Sequence, residues 1–412
     1  MNMAKYKTLD DFNVKNKIVI VRVDFNSEID PNTKKVTSDV RITAHAESTL
    51  KELAEKGART VVLAHQGRKG DPDYTPLKQH AEILGKILKC PVKYVDDTYG
   101  DKAKKAIKEL NGGEILVLEN VRGFDGETKS GTPEQHAKTE LVQALAPLAD
   151  LFVNDAFAAA HRGHVSLVGF TALLPSAAGR IMERELKSLA KALEKPEKPC
   201  VYVMGGAKAD DSLEISKYVL GNGIADYVLV GGVTSQLFLA AKGLDLGKGN
   251  MAFLEKKELT GLIPGIKALM ERFKDKVQVP VDVALDVKGK RKEISVDKLP
   301  TEYSIFDIGA KTVKNYANII IDAKSIVVSG PMGVYENKEF NNGTKKVLEA
   351  IADSKAFSLA GGGNTIAAIE EYGLTRKICY ISTAGGALIE FLMGKKLPGV
   401  VALENAVETK KI

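Results

Sequence analysis

The sequence contains no tryptophan and only three cysteines in 412 residues. Cys90, Cys200 and Cys379 are far apart and odd in number, so they form neither a disulfide framework nor the close spacing of a metal site. A reducing cytoplasm is the simplest interpretation. The first residues lack the apolar core of a signal peptide, and no apolar run reaches the roughly 18 residues of a membrane helix. We therefore expect no membrane partner.

Common nucleotide-binding signatures are also missing. The sequence has no G-x-x-x-x-G-K-[ST] phosphate loop, no G-x-G-x-x-G fingerprint at its first strand and no catalytic set of a protein kinase. These absences count against a P-loop NTPase, a nicotinamide dehydrogenase and a protein kinase. The net charge of +6 is small for this length, so nucleic acid is not an expected partner either.

Short apolar strands recur along the chain, and each ends in a polar or glycine-rich loop. Four lie in the first half and five in the second, with helical patterns between some of them. Continuous apolar strands alternating with helices are typical of parallel sheets covered on both faces. The predicted fold class is therefore α/β, with two doubly wound parallel-sheet domains separated by a cleft and joined by a helix.

A proline-bounded amphipathic segment separates the two halves, and it predicts the joining helix. This segment follows Pro175 and ends in a proline- and lysine-rich stretch near Lys195. The predicted divisions are residues 1–175 for the first domain, 176–195 for the helix, 196–390 for the second domain and 391–412 for a C-terminal segment.

Charged and amide side chains follow the strands of the first half. All six histidines lie before residue 165. Ligands of open parallel sheets bind beyond the carboxyl ends of the strands, and arginine forks match phosphate and carboxylate oxygens. These side chains predict a small ligand with phosphate, carboxylate and hydroxyl groups; unrelated surface salt bridges are the alternative. The residues are Asp24, Asn26, Arg41, His65, Arg68, Arg122 and Arg162. His45, on the helix after Arg41, is expected to be a surface or packing residue.

Glycine clusters follow the strands of the second half. Glycine lets a backbone approach a ligand closely, and a loop that leads into a helix presents free N–H groups to phosphate. Two of the clusters, "GGGNTIAAIEEYG" and "STAGGALIEFLMG", read as a glycine loop followed by a helix. An ordinary tight turn explains any single glycine pair equally well. A basic domain paired with a glycine-rich domain indicates phosphoryl transfer, which needs positioning and positive charge.

The motifs resemble one family, the phosphoglycerate kinases, in order and spacing from about Lys17 to Leu403. Several departures from the common pattern are similar to the archaeal branch. The motifs that carry the resemblance are "VRVDFN", "HQGR", "LENVR", "NDAF…HRGH", "LPSAAGRIMERELKSL", "GGAK", "DIGAKT", "SGPMGVYE", "GGGNT" and "STAGGALIEFLMGKKLPGV".

The resemblance implies a substrate site in the first domain. Asp24 and Asn26 would hold the hydroxyl and carboxyl end of 3-phosphoglycerate. Arg41 would contact the substrate and, as the catalytic arginine, neutralise the transferring phosphoryl group. The pocket for the fixed phosphate of the substrate would consist of His65, Arg68, Arg122 and Arg162.

The resemblance also implies a nucleotide site in the second domain. Lys208 would be a catalytic residue that contacts the nucleotide, Glu336 would bind the ribose, and Gly385 and Gly386 would begin a helix that stabilises the transition state. Magnesium would accompany ATP or ADP, with Asn364 as a protein ligand. The loop on the nucleotide phosphates would consist of Gly361, Gly362, Gly363 and Asn364.

The implied reaction is reversible phosphoryl transfer between 1,3-bisphosphoglycerate and ADP, carried out by a monomer in glycolysis and gluconeogenesis. The resemblance also implies that the C-terminal segment returns to the first domain. Two alternatives stay open, a non-catalytic ligand-binding relative and a kinase for another small carboxylate. The first alternative arises from Asn364 and Ser212, where the family usually has aspartate and lysine. Other departures at the nucleotide site are Ser329, where asparagine is usual, and Val233 and Ala384, where glycine is usual.

Half-sites on separate domains imply that the domains close around the two reactants. We expect small-angle scattering to give a smaller radius of gyration with 3-phosphoglycerate and magnesium nucleotide present together than with neither. Each reactant alone is the control. A scattering curve that does not change with both present contradicts domain closure.

Overall fold

The computed structural model describes residues 6–406. The chain forms two compact units: the first combines the chain up to Lys187 with the segment from Lys396 onward, and the second is Ser188–Lys395. The start of the predicted first domain, residues 1–5, and the end of the predicted C-terminal segment, residues 407–412, lie outside the described residues.

A six-stranded parallel sheet with the order β3-β4-β2-β1-β5-β6 is the centre of the first unit. In the register of its central pair, Ile20 lies opposite Val61. The strands are β1 (Ile18–Arg22), β2 (Arg59–Leu63), β3 (Val92–Tyr94), β4 (Ile115–Val117), β5 (Leu151–Asn154) and β6 (Ser176–Ala178).

Helices cover both faces of this sheet, which explains why its strands are apolar along their whole length. Val19 and Val21 belong to the core beneath α1–α3, whereas Ile18 and Ile20 belong to the core beneath α4 and α6. The helices are α1 (Val40–His45), α2 (Lys51–Glu55), α3 (Lys78–Leu88), α4 (Asp101–Lys108), α5 (Pro133–His136), α6 (Glu140–Leu145) and α7 (Val165–Val168). A π-helical segment, Ala46–Leu50, joins α1 to α2.

A second six-stranded parallel sheet, with the order β15-β14-β13-β7-β8-β9, is the centre of the second unit. Its strands are also apolar, and Val328 pairs with Val203 on one side and Ala360 on the other. The strands are β7 (Cys200–Met204), β8 (Tyr227–Val230), β9 (Val277–Gln278), β13 (Ser325–Ser329), β14 (Phe357–Gly361) and β15 (Tyr380–Ser382).

A three-stranded antiparallel sheet, β11-β10-β12, lies in the second unit and was not predicted from the sequence, and neither was the short β9. The antiparallel sheet consists of β10 (Asp282–Val287), β11 (Lys290–Ser295) and β12 (Ser304–Ile308). Lys288 and Gly289 have φ values of 53° and 82°, the left-handed conformation that a tight hairpin turn requires. The polar β11 carries little apolar signal, because it lies at the edge of the sheet.

The second unit contains eight helices among the described residues. α13 and α14 pack on one core cluster of the sheet, through Tyr316, Ile320, Val347 and Ile351. The helices are α9 (Ala209–Gly221), α10 (Gly232–Ala241), α11 (Lys248–Lys256), α12 (Ile263–Arg272), α13 (Ala310–Asp322), α14 (Asn342–Asp353), α15 (Gly363–Glu371) and α16 (Gly385–Leu392).

Two further helices fix the path of the chain. α8 (Arg180–Leu193) follows β6 and carries the chain from the first unit into the second. α17 (Pro398–Glu404) belongs to the first unit, where the N–H of Gly399 donates to the carbonyl of Ala160 at 2.8 Å. The predicted fold class of two parallel-sheet α/β domains is confirmed, because each unit has a six-stranded parallel sheet.

Candidate functional site

The loops after β1, β2 and β4 lie together, because the carboxyl ends of parallel strands meet at one edge of a sheet. The Asn26 side-chain oxygen accepts the N–H of Gly67 at 2.8 Å, and this contact ties the first loop to the second. The Arg122 guanidinium donates to the carbonyl of Gly67, which ties the third loop to the second. Asn26 and Arg122 are therefore held by contacts between loops, and Arg68 directly follows Gly67, the residue that both of them contact.

A group of cationic and histidine side chains, here called the cation pocket, lies at this edge. Arg68, Arg122, Arg162 and His164 line a cavity of about 390 Å³. Burial, followed by repulsion from Arg162 and Arg22, lowers the pKa of Arg122 to about 10. The repulsion that Arg122 experiences from the neighbouring arginines would be reduced by a bound phosphate group, which carries the opposite charge.

His65 and His164 are neutral in this environment. Burial lowers the pKa of His164 to about 3, with Arg162 and Arg22 adding to the effect. Burial, and then the charge of Arg22, lowers the pKa of His65 well below its ordinary value. The Nδ1 atom of His65 accepts a hydrogen bond from the guanidinium of Arg22 at 3.0 Å, because an arginine can only donate. The Nε2 atom of neutral His65 therefore carries the proton.

Arg22, Ser166 and Glu127 also belong to this region, although they were not predicted from the sequence. Arg22 is only 1% exposed, and its Nε donates to the Ser166 hydroxyl at 2.8 Å. That hydroxyl donates to Glu127 at 2.6 Å. The one signal in the sequence was an arginine inside the apolar strand β1, since a charged residue in a strand covered on both faces needs partners.

Asp24 and Arg41 form an ion pair next to the cation pocket. The Arg41 guanidinium donates to the Asp24 carboxylate, which is buried, while the Arg41 side chain is 40% exposed. Burial opposes ionisation of Asp24, but the Arg41 guanidinium and the backbone N–H of Asn26 favour the carboxylate, and the pKa of Asp24 lies below its ordinary value. The Asp24 carboxylate is therefore ionised at neutral pH, and Arg41 is accessible to solvent.

The first glycine loops of the second unit bond to one another. The N–H of Gly206 donates to the Pro331 carbonyl and that of Gly232 to the Met332 carbonyl, both at 2.7 Å. A Cβ atom on Gly205 would lie 2.2 Å from the Pro331 carbonyl oxygen. Close packing between loops thus requires these glycines, and the N–H groups of Gly206 and Gly232 are already used in contacts between loops.

Glycines at two helix N-termini differ, because space lies beside them. A Cβ atom on Gly363, at the start of α15, or on Gly385, at the start of α16, would have no heavy atom within 4 Å. Gly362 caps α15 with a φ of 89°, and Gly386 lies in the first turn of α16. The first N–H groups of a helix have no partner inside the helix, so these two positions suit phosphate binding. Gly361 has a different role, since a Cβ there would lie 1.9 Å from the Leu388 side chain.

A cavity of about 170 Å³, here called the glycine-loop pocket, lies beside these loops. Ile305, Phe306 and Met332 supply apolar surface, whereas Glu336 and Asn364 supply polar groups at the same cavity. Lys208 is exposed at the N-cap of α9 and does not line this pocket. The arrangement suits a ligand with one flat apolar part and several polar groups.

The residues that depart from the family pattern occupy different surroundings. The hydroxyl of Ser212 is directed back along α9 and donates to the Lys208 carbonyl at 3.1 Å. Val233 lines the glycine-loop pocket, and Asn364 lines it at the start of α15. Ala384 is buried at the N-cap of α16. The chain therefore places no lysine at position 212 and no carboxylate at position 364.

Residues 6–406 contain no group of three or more His, Cys, Asp and Glu side chains arranged to hold a metal ion. Asn364 has one amide oxygen that fits a magnesium ion carried by nucleotide phosphates, because Mg²⁺ commonly takes few protein ligands and completes its shell with phosphate and water. Over the same described range, no helix combines the length and apolar character required to span a membrane.

Comparison with known proteins gives one consistent family. A family model described as phosphoglycerate kinase matches residues 9–395. The phosphoglycerate kinase of Methanothermobacter thermautotrophicus is 49% identical over 402 residues, which cover 98% of this chain and 97% of the relative. The solved phosphoglycerate kinase from Pyrococcus horikoshii OT3 has a TM-score of 0.85 at 43% identity and covers 96% of this chain and 98% of its own. The enzyme from Coxiella burnetii has a TM-score of 0.84 at 33% identity, with 97% and 98% covered.

Buried neutral histidines predict that the chain loses stability in mild acid. Burial lowers the pKa of His80 from 6.5 to about 4. The unfolded chain therefore binds more protons at this residue between these values, so the contribution of His80 to the free energy of unfolding falls as pH drops from about 6.5 toward 4 and is constant above 7. We expect His80 alone to account for about 3 kcal/mol of the loss. Urea unfolding at a series of pH values measures it.

The variant His80→Gln is the control. It cannot take up a proton and retains a donor toward the Gln66 side-chain oxygen, which His80 Nε2 contacts at 3.1 Å. Its unfolding free energy should depend less steeply on pH than that of the parent chain. Equal slopes for the two proteins, or a His80 ring that titrates near pH 6.5 by NMR, would contradict the assignment.

Proposed function

The chain belongs to the phosphoglycerate kinase family, and from that membership we propose how its residues divide the reaction. The enzyme transfers a phosphoryl group reversibly between 1,3-bisphosphoglycerate and ADP to give 3-phosphoglycerate and ATP, a step of glycolysis. In the proposal, the first unit binds 3-phosphoglycerate and the second binds the nucleotide. The observation that carries the first assignment is the cation pocket, where Arg68, Arg122 and Arg162 line one cavity and burial and neighbouring arginines lower the pKa of Arg122.

The fixed phosphate of 3-phosphoglycerate is proposed to bind in the cation pocket. Arg68, Arg122 and Arg162 would donate to its oxygens in the bidentate geometry that guanidinium groups favour. Neutral His65 would offer its protonated Nε2 as a further donor. The Asp24 carboxylate and the Asn26 amide would bind the hydroxyl and carboxyl end, because ionised Asp24 can accept a hydrogen bond from a hydroxyl.

The nucleotide is proposed to occupy the glycine-loop pocket. Its base would lie against the apolar side formed by Ile305, Phe306 and Met332, and Glu336 would accept hydrogen bonds from the ribose hydroxyls. The polyphosphate would follow the N-termini of α15 and α16, where the space beside Gly363 and Gly385 permits close approach. Magnesium would arrive with the phosphates and take the Asn364 oxygen as its protein ligand.

The chemical step needs no general base. In the direction of ATP use, a carboxylate oxygen of 3-phosphoglycerate forms a bond to the γ-phosphorus, and the bond from that phosphorus to the β-phosphate oxygen breaks. The attacking carboxylate is already ionised, so no proton moves. Arg41 and Lys208 would neutralise the transferring group, and Gly385 and Gly386 would stabilise it through the start of α16. The exposed guanidinium of Arg41 agrees with this role.

The proposed setting is a monomer in the cytoplasm, and the three unpaired cysteines are compatible with it. The boundaries 1–175, 176–195, 196–390 and 391–412 remain the proposed functional division. A coupled assay with ATP, magnesium and 3-phosphoglycerate tests substrate, nucleotide and metal together. Turnover with another small carboxylate in place of 3-phosphoglycerate would redirect the substrate assignment.

Replacement of Arg41 by alanine should abolish most turnover. We expect kcat to fall by about 10²–10³, because one preorganised charge on the transferring group is removed. Arg59→Ala is the matched control, since Arg59 begins β2 at the opposite edge of the same sheet and donates to the Asn16 carbonyl at 2.9 Å. Circular dichroism checks that both variants are folded. A near-normal kcat in folded Arg41→Ala refutes the catalytic role.

Restoration of the usual aspartate at position 364 should strengthen magnesium-nucleotide binding. A carboxylate adds a full charge where Asn364 offers one neutral oxygen, so we expect Asn364→Asp to lower KM for magnesium-ATP by about tenfold, or about 1.4 kcal/mol. KM for 3-phosphoglycerate is the internal control and should stay constant. If the magnesium dependence of both proteins is identical, residue 364 is not a ligand.

A further inference from the structure

His45, the last residue of α1, is buried with both ring nitrogens in hydrogen bonds. Its side chain is 5% exposed. The backbone N–H of Asp24 donates to Nε2 at 3.1 Å, and Nδ1 lies 2.7 Å from the Asp155 carboxylate. This side chain thus connects the loop after β1 to the loop after β5.

The partners of His45 determine its tautomer. A backbone N–H can only donate, so the Nε2 atom that faces Asp24 carries no proton. A carboxylate can only accept when ionised, so the Nδ1 atom that faces Asp155 carries one. His45 is therefore a neutral ring with its proton on Nδ1, and neither nitrogen is free to act as a general base.

Asp155 is anchored independently of His45. Its side chain is fully buried, and its Oδ1 atom accepts the backbone N–H of Ile181 at 2.8 Å and that of Met182 at 3.2 Å. These N–H groups belong to the first turn of α8, which makes Asp155 the cap of that helix. The Oδ2 atom is left for His45.

One short helix thus holds Asp24 from two directions. Arg41 and His45 are both on α1, where Arg41 pairs with the Asp24 carboxylate and His45 accepts from the Asp24 backbone. The π-helical segment Ala46–Leu50 begins directly after His45, a local departure from α-helical winding of the kind often found beside functional sites.

We propose that His45 is a positioning residue for the substrate loop: it fixes the backbone of Asp24, and Asp155 fixes the tautomer with which it does so. The proposal rests on the assignment of Asp24 to 3-phosphoglycerate. His45 acts through Asp24 and touches no reacting atom, so it should affect KM for 3-phosphoglycerate more than kcat, and KM for ATP not at all.

The variant Asp155→Asn separates the tautomer from the helix cap. The Asn oxygen can still accept from Ile181 and Met182, while its NH₂ group faces His45 and requires Nδ1 to accept. The proton then moves to Nε2 and opposes the N–H of Asp24. We expect KM for 3-phosphoglycerate to rise about tenfold, the effect of one lost hydrogen bond. Asp150→Asn is the control, because the Asp150 carboxylate lies before β5, at the end of the sheet where the strands begin, and accepts the N–H of Ile18 there.

A conservative variant provides the rescue that general damage would not allow. The amide of His45→Gln can turn its oxygen to the N–H of Asp24 and its NH₂ to the Asp155 carboxylate. We expect His45→Gln to keep a KM near that of the parent chain, whereas His45→Leu, which has no acceptor, has a raised KM. In His45→Gln/Asp155→Asn two NH₂ groups would face each other, so the double variant should also have a raised KM. If Asp155→Asn does not fold, the comparison of His45→Gln with His45→Leu decides.

NMR gives a readout that does not depend on turnover. The ¹⁵N shifts of the His45 ring should show the proton on Nδ1 in the parent chain and on Nε2 in Asp155→Asn, and the Asp24 amide should exchange faster in His45→Leu. A parent chain without 3-phosphoglycerate turnover contradicts the proposed function and leaves these shifts to judge the tautomer. An unchanged tautomer, or equal KM values in folded His45→Leu and the parent chain, overturns the positioning role.

Discussion

The repulsion among cations at one edge of the first sheet is the constraint on which the rest of that unit depends. Besides burial, the positive charges of Arg162, Arg22 and Arg68 lower the pKa of Arg122, and Glu127 opposes them. Such a cluster lowers stability in isolation, as functional sites commonly do. The surrounding side chains reduce the penalty: Glu127 approaches the buried Arg22 through Ser166, and the histidines of the cluster stay neutral.

In the proposed division of the reaction, the second unit would bind phosphate through backbone groups. Hydrogen bonds between the loops after β7, β8 and β13 hold these loops together. At the starts of α15 and α16, the open space beside Gly363 and Gly385 would let a phosphate approach backbone N–H groups. Rigid donors need little reorganisation when a charged group arrives, which is the property that transition-state stabilisation requires. The glycines of the second unit thus fall into two groups: some allow close packing between loops, and others leave space in which a ligand could approach the backbone.

The sequence predicted the features that depend on local pattern. Nine strands were recognisable because both of their faces are buried, and the residues after them could be assigned to one edge because parallel strands end together. The antiparallel sheet was not predicted, because β11 is polar and lies at the edge of that sheet. The contact of His45 with Asp155 joins residues 110 positions apart, and no periodicity encodes such a pair. The hydrogen bonds between glycine loops could not be predicted for the same reason, since a glycine pair in the sequence does not show whether it packs against another loop or contacts a ligand.

In the cation pocket, binding of an anion is linked to protonation of the histidines. The pKa values of His65 and His164 are low partly because the neighbouring arginines repel a further positive charge. A bound phosphate group would cancel much of that repulsion and raise both pKa values, so anion binding and proton uptake favour one another by linkage. Without a bound anion, the folded chain is then least stable in mild acid, because the unfolded chain binds protons that His65 and His164 do not bind in the folded chain. The arginines proposed to bind the substrate phosphate would thus be the same groups that make the fold without a bound anion sensitive to pH.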